Sequence, residues 1–127
     1  MTHMPERLTT LGFGEAAEAF SSGWRETYHG GITSFDLKVG QPGGRARLEA
    51  RAKDSSVKIA ETAAEAVAGA TVIFSLVTAD QALIAAENCA AHIGAGALWF
   101  DCNSCSPGTK RQAARAIETA GGVYIDV

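Results

Sequence analysis

The sequence predicts an α/β domain with a doubly wound, mostly parallel sheet and helices on both faces. Three observations support this prediction. Short apolar segments alternate with helical patterns along the whole chain, as in proteins where strands and crossover helices alternate. Residues 71–77 are almost continuously apolar, which is typical of a central parallel strand. Near the N-terminus, a strand pattern leads into two closely spaced glycines and then into a helical pattern.

Six segments carry strand patterns. They are short, rich in apolar residues and bounded by glycines, prolines or polar turns. In order, they are residues 7–11, 32–39, 57–60, 71–77, 97–101 and 123–127. The chain ends within the last of these apolar segments. Because natural domains rarely end inside a core strand, we expect the native protein to continue beyond Val127.

Helical patterns fill the intervals between the strand segments. The predicted helices cover residues 15–28, 63–68, 79–93 and 107–120. Thr62, with Glu65 three residues later, has the spacing of a capping box. Residues 45–53 are polar around Leu48, so at most a short exposed helix is expected there. Trp24, Cys89, Trp99 and Phe100 are expected in the core.

Composition restricts the class of protein and of partner. The 127 residues are enough for one domain with its own core, and 46% hydrophobic with 20% charged residues is typical of a globular chain. The net charge of -3 favours neither nucleic acid nor an anionic membrane surface. We find no apolar run long enough to span a bilayer and no secretory leader, so we expect a cytoplasmic protein. Three cysteines, an odd number, favour reduced thiols.

The glycine-rich turn is the strongest indication of function. Residues 12–17 read G-x-G-x-x-A, the fingerprint with which a Rossmann-type βαβ unit holds a dinucleotide. Gly12 would make the tight turn, Gly14 would let the pyrophosphate approach the backbone, and Ala17 would let the helix pack closely. Phe13, Glu15 and Ala16 complete the predicted cofactor-binding stretch.

An acidic residue lies in the second predicted strand segment, at the required distance from the glycines. Asp36 lies where the fingerprint needs a carboxylate to accept hydrogen bonds from the adenosine ribose. A carboxylate also repels a 2′-phosphate, so we predict NAD as the cofactor, with NADP less favoured. Lys38, two residues later, weakens the preference for NAD.

Two loops beyond the carboxyl ends of later strands are further candidates, since ligands of open parallel sheets lie at that edge. Leu76, Val77 and Thr78 are predicted to run along the cofactor. Residues 101–107 contain Asn103 and Ser104 as neutral hydrogen-bonding groups. The same segment has a C-x-x-C spacing, and a helix N-terminus there would lower a thiol pKa, so thiol redox chemistry is a minor alternative. No spacing of histidines indicates a metal site.

These stretches together resemble the N-terminal cofactor domain of the β-hydroxyacid dehydrogenases, the group that includes 6-phosphogluconate and 3-hydroxyisobutyrate dehydrogenases and the imine reductases. The resemblance covers essentially all of residues 1–127. Residues 12–17 correspond to the family's G-x-G-x-M-G, and residues 64–70 resemble the helix before its central strand. Residues 101–107 resemble its D-x-S-T-x-x-P loop, and residues 124–127 its strand before the substrate loop.

The resemblance implies a two-domain oxidoreductase in which this chain is the cofactor domain. The family's catalytic lysine and asparagine lie on a C-terminal helical domain, which also forms the usual homodimer. This chain would then be inactive alone. Hydride would pass between nicotinamide and a small hydroxy acid, with Asn103 and Ser104 facing the nicotinamide or substrate. An imine-reductase-type enzyme and a stand-alone dinucleotide-binding module or sensor remain open as alternatives.

Overall fold

The computed structural model describes residues 7–14, 31–53 and 57–127. In this part of the chain, six strands form one sheet in the order β3-β2-β1-β4-β5-β6, and every neighbouring pair is parallel. The strands are β1 Leu8–Leu11, β2 Ile32–Phe35, β3 Val57–Ile59, β4 Val72–Ser75, β5 Leu98–Asp101 and β6 Val123–Asp126. The strand order reverses between β1 and β4, which opens a crevice at the carboxyl ends of these two strands. The predicted α/β fold with a Rossmann-like parallel sheet is confirmed.

Three of the described helices begin at a residue whose side chain caps them. The described helices are a 3₁₀-helix at Leu37–Gly40 and four α-helices: α1 Gly44–Ala52, α2 Ala63–Val67, α3 Ala79–Ala90 and α4 Pro107–Thr119. The Thr62 hydroxyl accepts a hydrogen bond from the backbone N–H of Glu65, as the capping box predicts. Ser106 accepts from the N–H of Thr109, and Pro107 occupies the first turn, where its missing N–H costs nothing. No helix in the described residues is both long and apolar enough to cross a bilayer.

The main core lies on the sheet face covered by α2, α3 and α4. Trp99 is 1% exposed at its centre, and Cys89 on α3 is fully buried, as predicted for both residues. They pack with small and branched side chains from all three helices: Ala66, Val67, Ala86, Ala113 and Ile117. This face fixes the positions of β4 and β5 and therefore of the loops that follow them.

The opposite face carries α1 and a second group of apolar residues. Leu48 and Ala52 of α1 pack against Phe13 and Ile59, and both α1 residues are buried. The predicted short helix forms here and most of its residues are exposed, but it is not exposed throughout. The segment looks polar because only one narrow stripe, spaced four residues apart from Gly44 onward, faces the sheet.

Other boundaries also differ from the predictions. The second strand ends at Phe35 and not at residue 39, because the Asp36 carboxylate accepts from the Lys38 N–H and starts the 3₁₀-helix. Phe100 is half-buried and stacks on Phe74 with ring centroids 4.9 Å apart. The last strand is an edge strand of exposed and half-buried residues, since only β5 pairs with it among the described strands. The predicted helix 15–28 and Trp24 lie outside the described residues.

Candidate functional site

The turn after β1 is shaped by Gly12. Its φ is 90°, a backbone conformation that a residue with a side chain rarely adopts. Its N–H donates to the carbonyl of Phe35 at 2.7 Å, and a Cβ built on it would overlap the carbonyl oxygen of Leu76. Gly12 is therefore wedged between the ends of β2 and β4, and only glycine fits there.

The next two residues face opposite environments. The Phe13 side chain is 1% exposed and packs on Leu48 of α1, so it fixes the turn to the core on that face of the sheet. No described atom lies within 4 Å of a Cβ built at Gly14. The backbone at Gly14 is therefore open to an approaching ligand.

Asp36 joins the turn to the end of β2. One carboxylate oxygen accepts from the Phe13 N–H at 2.9 Å and the other from the Lys38 N–H at 2.9 Å. Each oxygen keeps capacity for a second hydrogen bond. The sequence placed Asp36 near the glycines, but the spacing could not show that the carboxylate also holds the glycine turn in place.

A cavity of about 510 Å³ lies beside these residues. Its volume is in the range of small-molecule sites. It is lined by the predicted residues Gly12, Gly14, Asp36, Leu76, Val77 and Thr78, together with residues from the 3₁₀-helix and from α3. The structure therefore brings the first and second sequence candidates into one site at the crevice where the strand order reverses.

One wall of the cavity was missed by the sequence reasoning. On α3 it consists of Gln81, Ile84, Ala85 and Asn88. Their spacing of i, i+3, i+4 and i+7 marks one face of a helix, and this periodicity is the signal that could have found them. Leu37 and Ile84 also line the cavity and are 61% and 47% exposed, so two large apolar side chains are available for contact with a ligand there.

The third candidate loop has a different character. Asn103 is only 6% exposed, and both hydrogens of its amide are used, on Ser75 Oγ at 3.0 Å and on Asp101 Oδ1 at 2.8 Å. Ser104 beside it is exposed. A direct contact of Asn103 or Ser104 with cofactor or substrate stays a prediction. The remaining predicted site residues, Glu15, Ala16 and Ala17, lie outside the described residues.

The two thiols of this loop are not activated. Burial and the Asp101 charge raise the pKa of both Cys102 and Cys105 above the ordinary value of 9.0, so the expected lowering by a helix N-terminus is wrong. Lys110, predicted at an exposed helix start, has a side chain only 13% exposed and forms an ion pair with Asp126. Within the described ranges, no three His, Cys, Asp or Glu side chains are grouped so that they could hold a metal ion.

Comparison with known proteins identifies the family. A sequence profile described as the NAD binding domain of 6-phosphogluconate dehydrogenase matches residues 43–127. This chain belongs to that family. The matched range begins after the glycine turn, so the turn and Asp36 are separate support for the same assignment. A sequence comparison with curated proteins finds no match.

Solved structures share the fold over nearly the whole chain. A conserved hypothetical protein from Sinorhizobium meliloti 1021 is 32% identical, with a TM-score of 0.89 over 97% of this chain and 41% of that one. The 3-hydroxyisobutyrate dehydrogenase of Mycobacterium tuberculosis, solved with L-serine, is 20% identical, with a TM-score of 0.82 over 97% and 40%. An imine reductase from Myxococcus stipitatus in complex with NADP+ is 17% identical, with a TM-score of 0.75 over 94% and 39%. The chain thus spans about 40% of the length of these relatives.

Proposed function

We propose that this chain is the cofactor half of an NAD-dependent oxidoreductase that acts on a small hydroxy acid. The observation that carries the proposal is the open backbone at Gly14, which lies in the wall of a 510 Å³ cavity together with the Asp36 carboxylate. Family membership supports a dinucleotide as the ligand. The hydroxy acid follows from the resemblance to β-hydroxyacid dehydrogenases.

The residues that line the cavity suit the adenosine end of a dinucleotide and its pyrophosphate. Gly12 makes the tight turn, and Gly14 leaves room for the pyrophosphate to approach the backbone, where a side chain would block it. Asp36 would accept hydrogen bonds from the ribose hydroxyls. Leu37 and Ile84 offer apolar surface at the cavity, and a flat aromatic base gains from covering such surface.

We propose NAD in preference to NADP because of the charge at the ribose position. The Asp36 carboxylate would lie beside a 2′-phosphate and repel it. Lys38 also lines the cavity and would attract that phosphate. We expect the carboxylate to dominate, because its two hydrogen bonds to Phe13 and Lys38 fix its position, whereas a lysine side chain on an exposed residue must lose conformational freedom to bind.

The bound nicotinamide would supply the hydride chemistry, and the protein would orient it. The Leu76–Thr78 loop would support the cofactor between the glycine turn and the end of β5. We further propose that the proton-transfer residues belong to a C-terminal helical domain of a longer enzyme, through which two subunits pair. The relatives are more than twice as long, which supports a longer enzyme, and the helical domain and the pairing of subunits follow from the resemblance to the family.

An imine-reductase-type enzyme is the second candidate, supported by the structural similarity to an imine reductase. A stand-alone dinucleotide sensor is the third. Binding assays do not separate these three functions, whereas turnover does. The full-length protein should reduce NAD in the presence of small hydroxy acids. Oxidation of the reduced cofactor by cyclic imines would support the imine reductase instead, and binding without any turnover would support the sensor.

The cofactor proposal is tested by calorimetric titration of the chain with NAD and NADP. The wild-type chain should bind NAD more tightly. Asp36→Ala should weaken NAD binding by roughly 10–100-fold, the value of a hydrogen bond to a charged group, and weaken NADP binding less. Asp36→Asn is the matched control, since it removes the charge and keeps an acceptor for one backbone N–H. Equal losses for both cofactors would refute the NAD preference, and absence of binding by the wild-type chain would refute the proposed function.

A further inference from the structure

A polar network connects the ends of β4 and β5 with a tyrosine of β6 beside the cavity. Asp101 is 1% exposed and Ser75 is fully buried. Asp101 accepts hydrogen bonds from the Tyr124 hydroxyl at 2.6 Å and from the Asn103 backbone N–H at 3.0 Å. Burial and the neighbouring Asp101 carboxylate raise the pKa of Tyr124, so its hydroxyl stays protonated and remains a donor.

The Asn103 carboxamide joins this network to the loop after β4. Its Oδ1 accepts the N–H of Val77 at 2.8 Å, while its amide nitrogen donates to Asp101. Because the N–H of Val77 can only donate and an ionised carboxylate can only accept, the amide has a single orientation that satisfies both neighbours. Asn103 must therefore offer an acceptor on one side and a donor on the other.

The loop held in this way forms part of the cavity. Leu76 and Val77 line it, and the Leu76 carbonyl lies directly against Gly12. The Leu76 N–H is fixed by the carbonyl of Leu11 at 2.8 Å, so backbone bonding secures one side of the loop. The Val77 N–H is bonded to a side chain, that of Asn103.

We propose that Asn103 is a positioning residue whose buried carboxamide, oriented by Asp101 and Tyr124, keeps the Leu76–Thr78 loop in the conformation that binds the cofactor. This inference rests on the proposed function. Asn103 would act on cofactor binding through its hydrogen bond to Val77. If the loop leaves this conformation for part of the time, the apparent affinity for cofactor falls in proportion to the competent fraction.

Neither of the two close replacements, serine and aspartate, satisfies both neighbours at neutral pH. Serine is too short to reach from Asp101 to Val77. Aspartate has the right shape, but it places a second carboxylate against Asp101. Two carboxylates so close cannot both ionise without a large penalty, so one of them retains a proton to higher pH. When protonated, the new acid can donate to Asp101 as the amide does.

The decisive variant is therefore Asn103→Asp, with NAD affinity measured by calorimetry at about pH 5.5 and about pH 8 and compared with the wild type at the same pH. We expect near wild-type affinity at the lower pH and a loss of about tenfold or more at the higher pH, as the shared proton leaves. Asn88→Asp is the matched control. This variant adds the same charge at the cavity, but the new carboxyl group is exposed and therefore ionised across this pH range. The NAD affinity of the variant relative to the wild type should then be the same at both pH values.

The reciprocal double variant Asp101→Asn with Asn103→Asp tests the pairing directly. It restores one amide and one carboxylate, so it should remove the pH dependence of the single variant. Retention of that dependence would overturn the proposal, as would a single variant that binds NAD equally well at both pH values. If Asn103→Asp does not fold at the higher pH, Asn103→Ser replaces it. The serine variant should lose about tenfold in affinity at both pH values, and unchanged affinity would overturn the proposal.

Amide hydrogen exchange at Val77 gives a readout that needs no cofactor. Amide exchange speeds up with pH in any protein, and the wild type at about pH 8 measures that intrinsic effect. In Asn103→Asp at about pH 8, the Val77 amide should exchange faster than in the wild type, while the Leu76 amide keeps its protection. Unchanged protection of Val77 would overturn the positioning role. A wild-type chain that shows this protection but binds no dinucleotide would refute the proposed function alone.

Discussion

Gly12 and Gly14 should separate stability from cofactor binding, although they are two residues apart in one motif. Alanine at position 12 must adopt a φ near 90° and must also displace the Leu76 carbonyl. Alanine at position 14 meets no described atom within 4 Å. Gly12→Ala should therefore destabilise the fold, and Gly14→Ala should impair only the site.

The magnitudes follow from these two environments. A left-handed conformation costs a non-glycine residue about 1–2 kcal/mol. Displacing a packed backbone costs a further ~1–3 kcal/mol, so Gly12→Ala should lose roughly 2–5 kcal/mol of stability. In a domain of this size, that loss lowers the Tm by roughly 10 °C or more. Gly14→Ala should leave the Tm unchanged or slightly higher, because alanine reduces the entropy of the unfolded chain.

The assay combines thermal unfolding followed by circular dichroism with calorimetric titration of NAD. Gly14→Ala should weaken NAD binding by about 10–100-fold, since its methyl group occupies the space for the pyrophosphate. Gly94→Ala is the control, because it also opens into free space but lies away from the cavity, and it should change neither quantity. Full NAD affinity in Gly14→Ala, or an unchanged Tm in Gly12→Ala, would refute the reasoning.

Four further predictions concern the thiols, α1 and α2. Cys102 and Cys105, whose pKa values are raised, should react with iodoacetamide more slowly at neutral pH than a free cysteine and faster as the pH rises past about 9; rapid labelling at pH 7 would revive thiol redox chemistry. Cys89, with its pKa raised to about 12 by burial, should be labelled only on unfolding. Leu48→Ala should cost about 2–5 kcal/mol in urea unfolding, and a cost below 1 kcal/mol would show that α1 is only loosely packed. Thr62→Ala should cost about 1 kcal/mol in the same measurement, and Thr62→Ser much less; equal losses would contradict the cap.

The fold could be predicted largely because its signals are local. The apolar runs of β4 and β5, the cap at Thr62 and the proline at the start of α4 each act within a few residues. One error, the end of β2, arose where the Asp36 side chain starts a 3₁₀-helix locally, and another arose where a distant contact decided the outcome. Helix α1 is held by Leu48 against Phe13, a residue far away in the chain, so its polar composition was misleading.

The site was predicted in part. The features that the sequence predicted have local signals, and the features that it missed depend on contacts between distant residues. The sequence by itself determined the glycine turn, the spacing to Asp36 and the loop after β4, because a parallel sheet brings the carboxyl ends of its strands to one edge. Only the tertiary structure decided that Phe13 is buried, that Asp36 caps the glycine turn and that α3 supplies a cavity wall. It also decided that Asn103 is enclosed between Asp101, Ser75 and Val77. Those properties depend on which residues from separate crossovers meet in space, and no local pattern contains that information.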